Sequence, residues 1–152
     1  MTVAFAVLEE GSDFREPWMD LPQYQPEHVP VALGRVLVVD DDEMLRTILG
    51  RMLSEAGYEI VLAADGMEAL DRMRGDGRVD LVVADLRMPR MGGQALGEHL
   101  RAKEPGLPVL YISGYVADWS PQLADGPASA FLQKPFDEED FLRSVRALLR
   151  GS

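Results

Sequence analysis

The stretch RVLVVDDDEMLRTILGRMLSEAG (35–57) joins a short apolar run to a segment with helical periodicity. Its first part, RVLVV (35–39), is rich in β-branched residues, which favours a buried strand. Asp42 lies immediately before the periodic segment, where helix N-termini favour aspartate, and Gly57 is suited to end the helix. The stretch therefore predicts a strand followed directly by a helix, whose apolar face consists of Leu45, Ile48, Leu49, Met52 and Leu53.

The alternation of apolar run and helical segment continues to the end of the chain. Further strands are predicted at YEIVL (58–62), VDLVVA (79–84), PVLYI (108–112) and AFLQ (130–133). Strands that are apolar throughout and are each followed by a helix favour a parallel sheet buried on both faces. We therefore predict an α/β fold with helices on both faces of a five-stranded parallel sheet. Ligands of such sheets bind outside the carboxyl ends of the strands.

The last two helical segments differ in how well the sequence specifies them. The final helix has acidic residues at 137–140 and an arginine at its end, Arg150, which complements the helix dipole. The segment YVADWSPQLADGPAS (115–129) is interrupted by Pro121 and Pro127, which are poor helix formers. We expect a short, mobile helix in that segment.

Residues 1–34 differ in composition from the rest of the chain. Repeated prolines in this region are incompatible with a long helix or a central strand. The region is predicted to be an irregular acidic extension or linker, with a partner-binding arm as the alternative. The folded domain is predicted to span residues 35–150. The prolines are Pro17, Pro22, Pro26 and Pro30.

The overall composition excludes several classes of function. A formal net charge of -11 argues against direct nucleic-acid binding, which requires clustered Lys and Arg. The chain has no cysteine, so a thiolate metal site and a cysteine nucleophile are excluded. No stretch approaches the roughly 18 apolar residues of a membrane span, and the first residues do not form a secretory leader. We expect a soluble, cytoplasmic protein without membrane contact.

Chemically active side chains follow the predicted strands at one edge of the sheet. Asp40, Asp41 and Asp42 follow the first strand, Asp85 the third, Ser113 the fourth and Lys134 the fifth. Carboxylates crowded together require either raised pKa values or a bound cation. Because oxygen ligands favour hard cations, Mg²⁺ is the expected ion.

This set of residues suits phosphoryl transfer. A carboxylate beside Mg²⁺ can attack a phosphoryl group, because the metal offsets the charge that repels the nucleophile. Ser113 could donate a hydrogen bond to one phosphoryl oxygen and Lys134 could neutralise another. Lys134 is one of only two lysines among fifteen basic residues, so a compact ammonium here is notable.

Four blocks resemble, in order and spacing, those of receiver domains of two-component response regulators. The blocks are VLVVDDD (36–42), ADLRMPRMGG (84–93), LYISGY (110–115) and FLQKPF (131–136). The resemblance covers about residues 35–150 and implies a flavodoxin-like, doubly wound sheet with strand order 2-1-3-4-5. The proteins it resembles include single-domain response regulators and the C-terminal receivers of hybrid histidine kinases.

The resemblance also implies a role for each residue of the site. Asp85 matches the phosphoacceptor, and Ser113 and Phe131 match the switch residues. Lys134 matches the motif lysine, whose neighbour Pro135 follows a cis peptide bond in the family. The implied Mg²⁺ ligands are Asp41 directly, Asp40 through water, Asp85, and the backbone carbonyl of Arg87.

The function implied is that of a phosphoacceptor in a phosphorelay. A histidine kinase or histidine phosphotransfer protein would donate its phosphoryl group to Asp85, and the product would switch a surface that binds a downstream protein. Exposed Met44 and Ile48 on the first helix are candidate partner contacts, against the alternative that they belong to the core. The chain would not be an enzyme beyond self-catalysed phosphorylation and dephosphorylation. It could act alone or belong to a hybrid kinase.

Two other functions remain open on the sequence. The first is an aspartyl-phosphate phosphatase of the haloacid-dehalogenase kind, whose nucleophile would be Asp40 in a D-x-D-x-[TV] block. Met44 occupies the final position of that block, which departs from the pattern. The second is an interaction module that keeps the fold without being phosphorylated.

Overall fold

The computed structural model describes residues 32–75, 77–119 and 129–151. Within these ranges the chain alternates strands and helices. A 3-10 turn, Val116–Asp118, follows the fourth strand. The strands and α-helices are β1 Arg35–Val39, α1 Glu43–Glu55, β2 Glu59–Ala63, α2 Gly66–Gly75, β3 Leu81–Asp85, α3 Gly93–Lys103, β4 Val109–Ser113, β5 Ser129–Gln133 and α4 Glu138–Arg150.

The strands form one parallel sheet in the order β2-β1-β3-β4-β5, which confirms the predicted topology. The register aligns the carboxyl ends of the central strands. Val39 is paired with Ala84, so Asp40 and Asp85 follow at the same level. Ser113 is paired with Gln133, so Lys134 follows directly beside it. The residues predicted to form the functional site therefore meet at one edge of the sheet.

Both faces of the sheet are buried, as the apolar strands predict. On one face the core includes Leu37 and Val82 of the sheet and residues of α2 and α3. On the other face it includes Val36 and Val83 together with residues of α1 and α4. Successive strand residues point to opposite faces, so a continuous apolar run supplies two cores. The helical residues of these cores are Ala69, Leu96 and Leu100 on the first face, and Leu49, Leu53, Phe141 and Val145 on the second.

Asp42 is the N-cap of α1, as predicted. Its side chain accepts hydrogen bonds from the backbone N–H groups of Met44 at 3.0 Å and Leu45 at 3.2 Å. These bonds satisfy donors that have no partner inside the helix. At the other end, Gly57 has φ +107°, a conformation that glycine adopts without steric cost. With Asp42 used as the cap, Asp40 and Asp41 are the aspartates of this loop left for the site.

β1 has the predicted bounds, and the other four strands differ from the prediction by one or two residues at one or both ends. β3 and β4 extend to Asp85 and Ser113, which are the last residues of their strands rather than the first beyond them. Asp85 is paired with Ile112 in the ladder, so its backbone is held by the sheet. The predicted helix at 115–129 is represented by the 3-10 turn, and its residues 120–128 lie outside the described residues.

The predicted extension falls largely on residues 1–31, which also lie outside the described residues. Among the helices of the described ranges, none has the length and apolar character required to cross a membrane.

Candidate functional site

Three carboxylates meet at the carboxyl edge of the sheet. Asp40 and Asp41 follow β1 and Asp85 ends β3, and one oxygen of each lies within 4.8 Å of the others. The backbone N–H of Asp42 donates to Asp40 Oδ1 at 2.9 Å, which fixes the Asp40 side chain at the start of α1. Asp40 and Asp85 are buried, whereas Asp41 is exposed. The pocket is therefore open to solvent on the Asp41 side.

Lys134 places a positive charge against two of these carboxylates. Its Nζ donates a hydrogen bond to Asp85 Oδ2 at 3.3 Å and lies 3.9 Å from Asp40 Oδ2. The backbone supports this position, since the N–H of Lys134 donates to the carbonyl of Ser113 at 2.9 Å. The peptide bond between Lys134 and Pro135 is cis, as the resemblance implied.

The charges of this group of four side chains are not balanced. One ammonium faces three carboxylates, and burial raises the pKa of Asp40 from 3.8 to about 6, with the negative charge of Asp85 adding to the rise. The hydrogen bond from Asp42 opposes that shift without cancelling it. Oxygen donors with excess negative charge are what a hard divalent cation requires. The residues present therefore fit a Mg²⁺ ion.

Ser113 is buried at the end of β4, beside Lys134, but its hydroxyl is bonded elsewhere. Ser113 Oγ donates to Asp118 Oδ2 at 2.6 Å and accepts from the backbone N–H of Tyr115 at 3.1 Å. Asp118 also binds the guanidinium of Arg87, at 2.7 Å from Nε and 3.1 Å from Nη2. These bonds from Arg87, and secondarily the bond from Ser113, lower the pKa of Asp118.

Arg87 connects the loop after β3 to this network. Its backbone N–H donates to Asp85 Oδ1 at 3.1 Å, and its guanidinium carbon lies 3.9 Å from the centre of the Tyr115 ring. An arginine over an aromatic ring is attracted by the ring quadrupole. The Arg87 side chain is thus committed to Asp118 and Tyr115. The role of its carbonyl as a metal ligand stays a prediction.

The same loop is anchored at its far end to Asp65, the residue that precedes α2. Arg90 has φ +65° and its Nε donates to Asp65 Oδ2 at 2.8 Å. Asp65 also accepts from the backbone N–H of Glu68, which is the main cause of its lowered pKa. A Cβ on Gly93 would lie 2.5 Å from the carbonyl oxygen of Asp85, so only glycine fits there without a shift of the backbone. The loop is therefore held tightly around the Asp85 backbone.

The family model of the response regulator receiver domain matches residues 36–146. The chain belongs to this family. Response regulator MprA of Mycolicibacterium vanbaalenii is 44% identical to it over 118 residues, which are 76% of this chain and 50% of MprA. The receiver chain thus spans about half the length of the curated relatives it matches.

Solved structures of other receivers share the fold. The CheY-like receiver domain protein of Methanospirillum hungatei matches with a TM-score of 0.72 and 28% identity, over 78% of this chain and 95% of that protein. The response regulator TrrA of Thermotoga maritima, solved in complex with Mg²⁺ and BeF, matches with a TM-score of 0.68 and 31% identity, over 76% of this chain and 99% of TrrA. These likenesses confirm the predicted flavodoxin-like fold.

The raised pKa of Asp40 predicts how pH affects the metal-free receiver. Between the unfolded value of 3.8 and the folded value of about 6, the folded chain keeps a proton that the unfolded chain has lost. Stability therefore falls as the pH rises through this window, and the loss persists above it. Asp40→Asn removes this cost, so its free energy of unfolding relative to wild type should rise by roughly 2 kcal/mol between pH 4 and pH 7.

The measurement is urea unfolding at both pH values with a chelator present. Asp41→Asn, which removes one charge at an exposed position, is the control and should show a smaller change with pH. If the free energies of unfolding of Asp40→Asn and wild type differed by the same amount at both pH values, the raised pKa of Asp40 in the folded chain would be contradicted.

Phe131 of this receiver does not stand alone. Its ring stacks on Trp119 with centroids 5.2 Å apart and an interplanar angle of 30°, and Trp119 also lies 5.9 Å from Tyr111. Ser113 and Phe131 could be predicted from the sequence, whereas their partners Asp118 and Trp119 were not predicted. The signal available was that an aspartate and a tryptophan are adjacent in the segment after β4.

The candidate partner contacts lie on α1, away from the core. Met44 and Ile48 are 73% and 42% exposed, which excludes the alternative that both belong to the core. They are neighbours on one helical face, since they lie four positions apart on the helix. Their role in partner binding stays a prediction.

Proposed function

We propose that this receiver accepts a phosphoryl group on Asp85 from a phosphohistidine and thereby switches a protein-binding surface. The observation that carries the proposal is the position of the Lys134 ammonium, 3.3 Å from Asp85 Oδ2 at the edge of a carboxylate pocket. An ammonium held beside a carboxylate can neutralise the phosphoryl oxygens that arrive there. Asp40 is 3.9 Å from the same ammonium, which favours Asp85 over Asp40 as the acceptor.

The carboxylates of Asp40, Asp41 and Asp85 would hold Mg²⁺, with the carbonyl of Arg87 as a further ligand implied by the family. When bound, the ion offsets negative charge on the acceptor and on the phosphoryl oxygens. TrrA was solved in complex with Mg²⁺ and BeF, which supports Mg²⁺ as the ion of this site.

Side chains of this receiver would perform the phosphoryl transfer. A carboxylate oxygen of Asp85 attacks phosphorus, an O–P bond forms, and the N–P bond of the phosphohistidine breaks. The bonding pair stays on the imidazole nitrogen, which can take up a proton from solvent. Lys134 neutralises one phosphoryl oxygen, and Ser113 donates a hydrogen bond to another. The new phosphoryl group remains on Asp85 until water hydrolyses the acyl phosphate.

The proposed output is a change of surface. Ser113 turns toward the phosphoryl group and Phe131 follows it, which reshapes the face formed by the segment after β4, β5 and α4. The downstream target would be another protein that binds this face. Outside this phosphoryl chemistry the chain would have no enzymatic role, and we place it in the cytoplasm, either alone or as part of a hybrid kinase.

The test uses a small phosphodonor. Incubation with acetyl phosphate and Mg²⁺ should give a covalent adduct on Asp85, detected as one added phosphoryl group in the intact mass. Turnover of acetyl phosphate through Asp40 would instead favour the phosphatase function. Neither adduct nor turnover would favour an unphosphorylated interaction module.

The contact with the phosphohistidine partner is proposed to lie at Met44 and Ile48. Ile48→Glu places a charge on this exposed apolar face, and desolvating it in an interface is costly. With a histidine kinase chosen because it phosphorylates the wild-type chain, transfer to Ile48→Glu should slow by about tenfold or more. Phosphorylation by acetyl phosphate should not change, because the pocket is intact.

Met67→Glu is the matched control, since Met67 is a similarly exposed apolar residue, at 46%, on α2. Equal slowing by both substitutions would show that α1 is not the specific contact.

A further inference from the structure

The two switch residues are each held by one of two neighbouring residues in the segment after β4. Asp118 accepts a hydrogen bond from the Ser113 hydroxyl, and Trp119 stacks on Phe131. Because Asp118 and Trp119 are consecutive, movement of one is transmitted to the other through the backbone. The segment therefore connects the hydroxyl beside the phosphoryl site to the aromatic ring of Phe131 on β5.

The hydroxyl of Ser113 can donate a single hydrogen bond, and that hydrogen bond is already made. It is donated to Asp118 Oδ2 at 2.6 Å, a short distance typical of hydrogen bonds to a carboxylate. Ser113 also accepts from Tyr115, so its remaining capacity is as an acceptor. A phosphoryl oxygen has no proton to donate. It can bond to the Ser113 hydroxyl only by replacing Asp118 as the acceptor of that hydrogen bond.

Arg87 stabilises Asp118 in the position that holds Ser113. The guanidinium contacts both carboxylate oxygens of Asp118, and two parallel N–H···O bonds fix the orientation of the carboxylate. The ring of Tyr115 also packs against the guanidinium, with its centroid 3.9 Å from the guanidinium carbon. The backbone N–H of the same Arg87 donates a hydrogen bond to the Asp85 side chain, so the network reaches the proposed phosphoacceptor.

We propose that Asp118 is a positioning residue that holds Ser113 away from the phosphoryl site until phosphorylation, and that its release frees Trp119 from Phe131. This inference rests on the proposed function, because it assumes that Asp85 accepts the phosphoryl group. The bonds among Asp118, Ser113 and Arg87 are called the Asp118 latch. The latch opposes the switched state, so its removal favours that state.

The first test compares Asp118→Ala with wild type in binding beryllofluoride, a mimic of the phosphoryl group, in the presence of Mg²⁺. Loss of one charge-assisted hydrogen bond should tighten apparent binding by on the order of tenfold. Asp118→Asn retains an acceptor without the charge and should give a smaller gain. Asp71→Ala is the matched control, because Asp71 is an exposed aspartate that is also paired with an arginine, Arg74. Unchanged or weaker binding by Asp118→Ala overturns the proposal.

The second test separates a latch from a general effect of charge. In a Ser113→Ala background there is no hydroxyl for Asp118 to hold. Asp118→Ala should then lose most of its effect on beryllofluoride binding, which gives a coupling between the two positions. Equal effects in both backgrounds would mean that Asp118 acts only through long-range charge, and the latch would be rejected.

The third test follows Trp119 directly. The chain has two tryptophans, so Trp18→Phe makes Trp119 the only one. Beryllofluoride should change the emission of Trp119, and Asp118→Ala in this background should already resemble the bound state before addition. Identical emission spectra of the free forms with and without Asp118 overturn the coupling to Phe131.

Failure of the proposed function gives a different result. If wild type binds no beryllofluoride and takes no phosphoryl group, both proposals fall. If wild type is phosphorylated and Asp118→Ala behaves identically, the latch alone is rejected.

Discussion

Replacing Asp85 with asparagine is expected to abolish phosphoryl uptake from acetyl phosphate, a loss of at least about a hundredfold in rate. The amide retains the size of the carboxylate but lacks its nucleophilic anionic oxygen, and it weakens the Mg²⁺ site by one charge. Intact mass after incubation with acetyl phosphate and Mg²⁺ should show no added phosphoryl group. The fold should survive, because the substitution removes one of three crowded negative charges.

Asp65→Asn provides the control for Asp85→Asn. Asp65 is as buried as Asp85, at 6% exposure each, and it also pairs with a cation, Arg90. It does not belong to the group of three carboxylates that could hold a metal ion. Uptake by Asp65→Asn should remain close to wild type. Continued uptake by Asp85→Asn, with the phosphoryl group mapped to another aspartate, would contradict the assignment of the acceptor.

Replacing Lys134 with alanine is expected to slow phosphorylation of Asp85 by on the order of a hundredfold. The ammonium lies 3.3 Å from Asp85 Oδ2, where negative charge accumulates as the phosphoryl group arrives. Lys134→Arg keeps the charge but replaces a compact ammonium with a larger planar group, so it should restore only part of the rate. Lys103→Ala is the control, since Lys103 is the only other lysine and is exposed at the end of α3.

Magnesium binding gives Lys134→Ala a second and opposite readout. The ammonium repels a divalent cation that shares its carboxylates, so its removal should leave Mg²⁺ affinity unchanged or higher while the rate falls. This combination distinguishes loss of phosphoryl stabilisation from collapse of the pocket. A variant that lost both Mg²⁺ affinity and rate would show that Lys134 has a structural role instead.

The fold could be predicted from the sequence because its strands are short continuous apolar runs. Runs such as 35–39 fit a strand buried on both faces, and parallel strands of this kind require helices between them. The strand order came from the resemblance of four blocks to receivers rather than from the runs themselves. Positions after the strands then placed Asp40, Asp85 and Lys134 at one edge, where the structure brings them together.

What the sequence could not give depends on backbone geometry in the loops. Asp118 reaches Ser113 because a 3-10 turn lies between them, and proline and glycine near that segment pointed to a weak helix instead. Asp65 meets Arg90 because Arg90 adopts a left-handed conformation, which is uncommon for arginine. The predicted carboxyl ends of β3 and β4 stop one residue early because polar Asp85 and Ser113 do not resemble strand residues, although the ladder includes them.

The carboxyl ends of the strands lie at the same level, so the main chain sets the geometry of the pocket. Val39 is opposite Ala84, and Ser113 is opposite Gln133, so backbone hydrogen bonds set how far Asp40, Asp85 and Lys134 stand from one another. Core side chains under the sheet can change in volume with a cost in stability while this spacing is kept. The geometry of this pocket should therefore tolerate substitutions in the core and be sensitive to any insertion that shifts one strand against its neighbour.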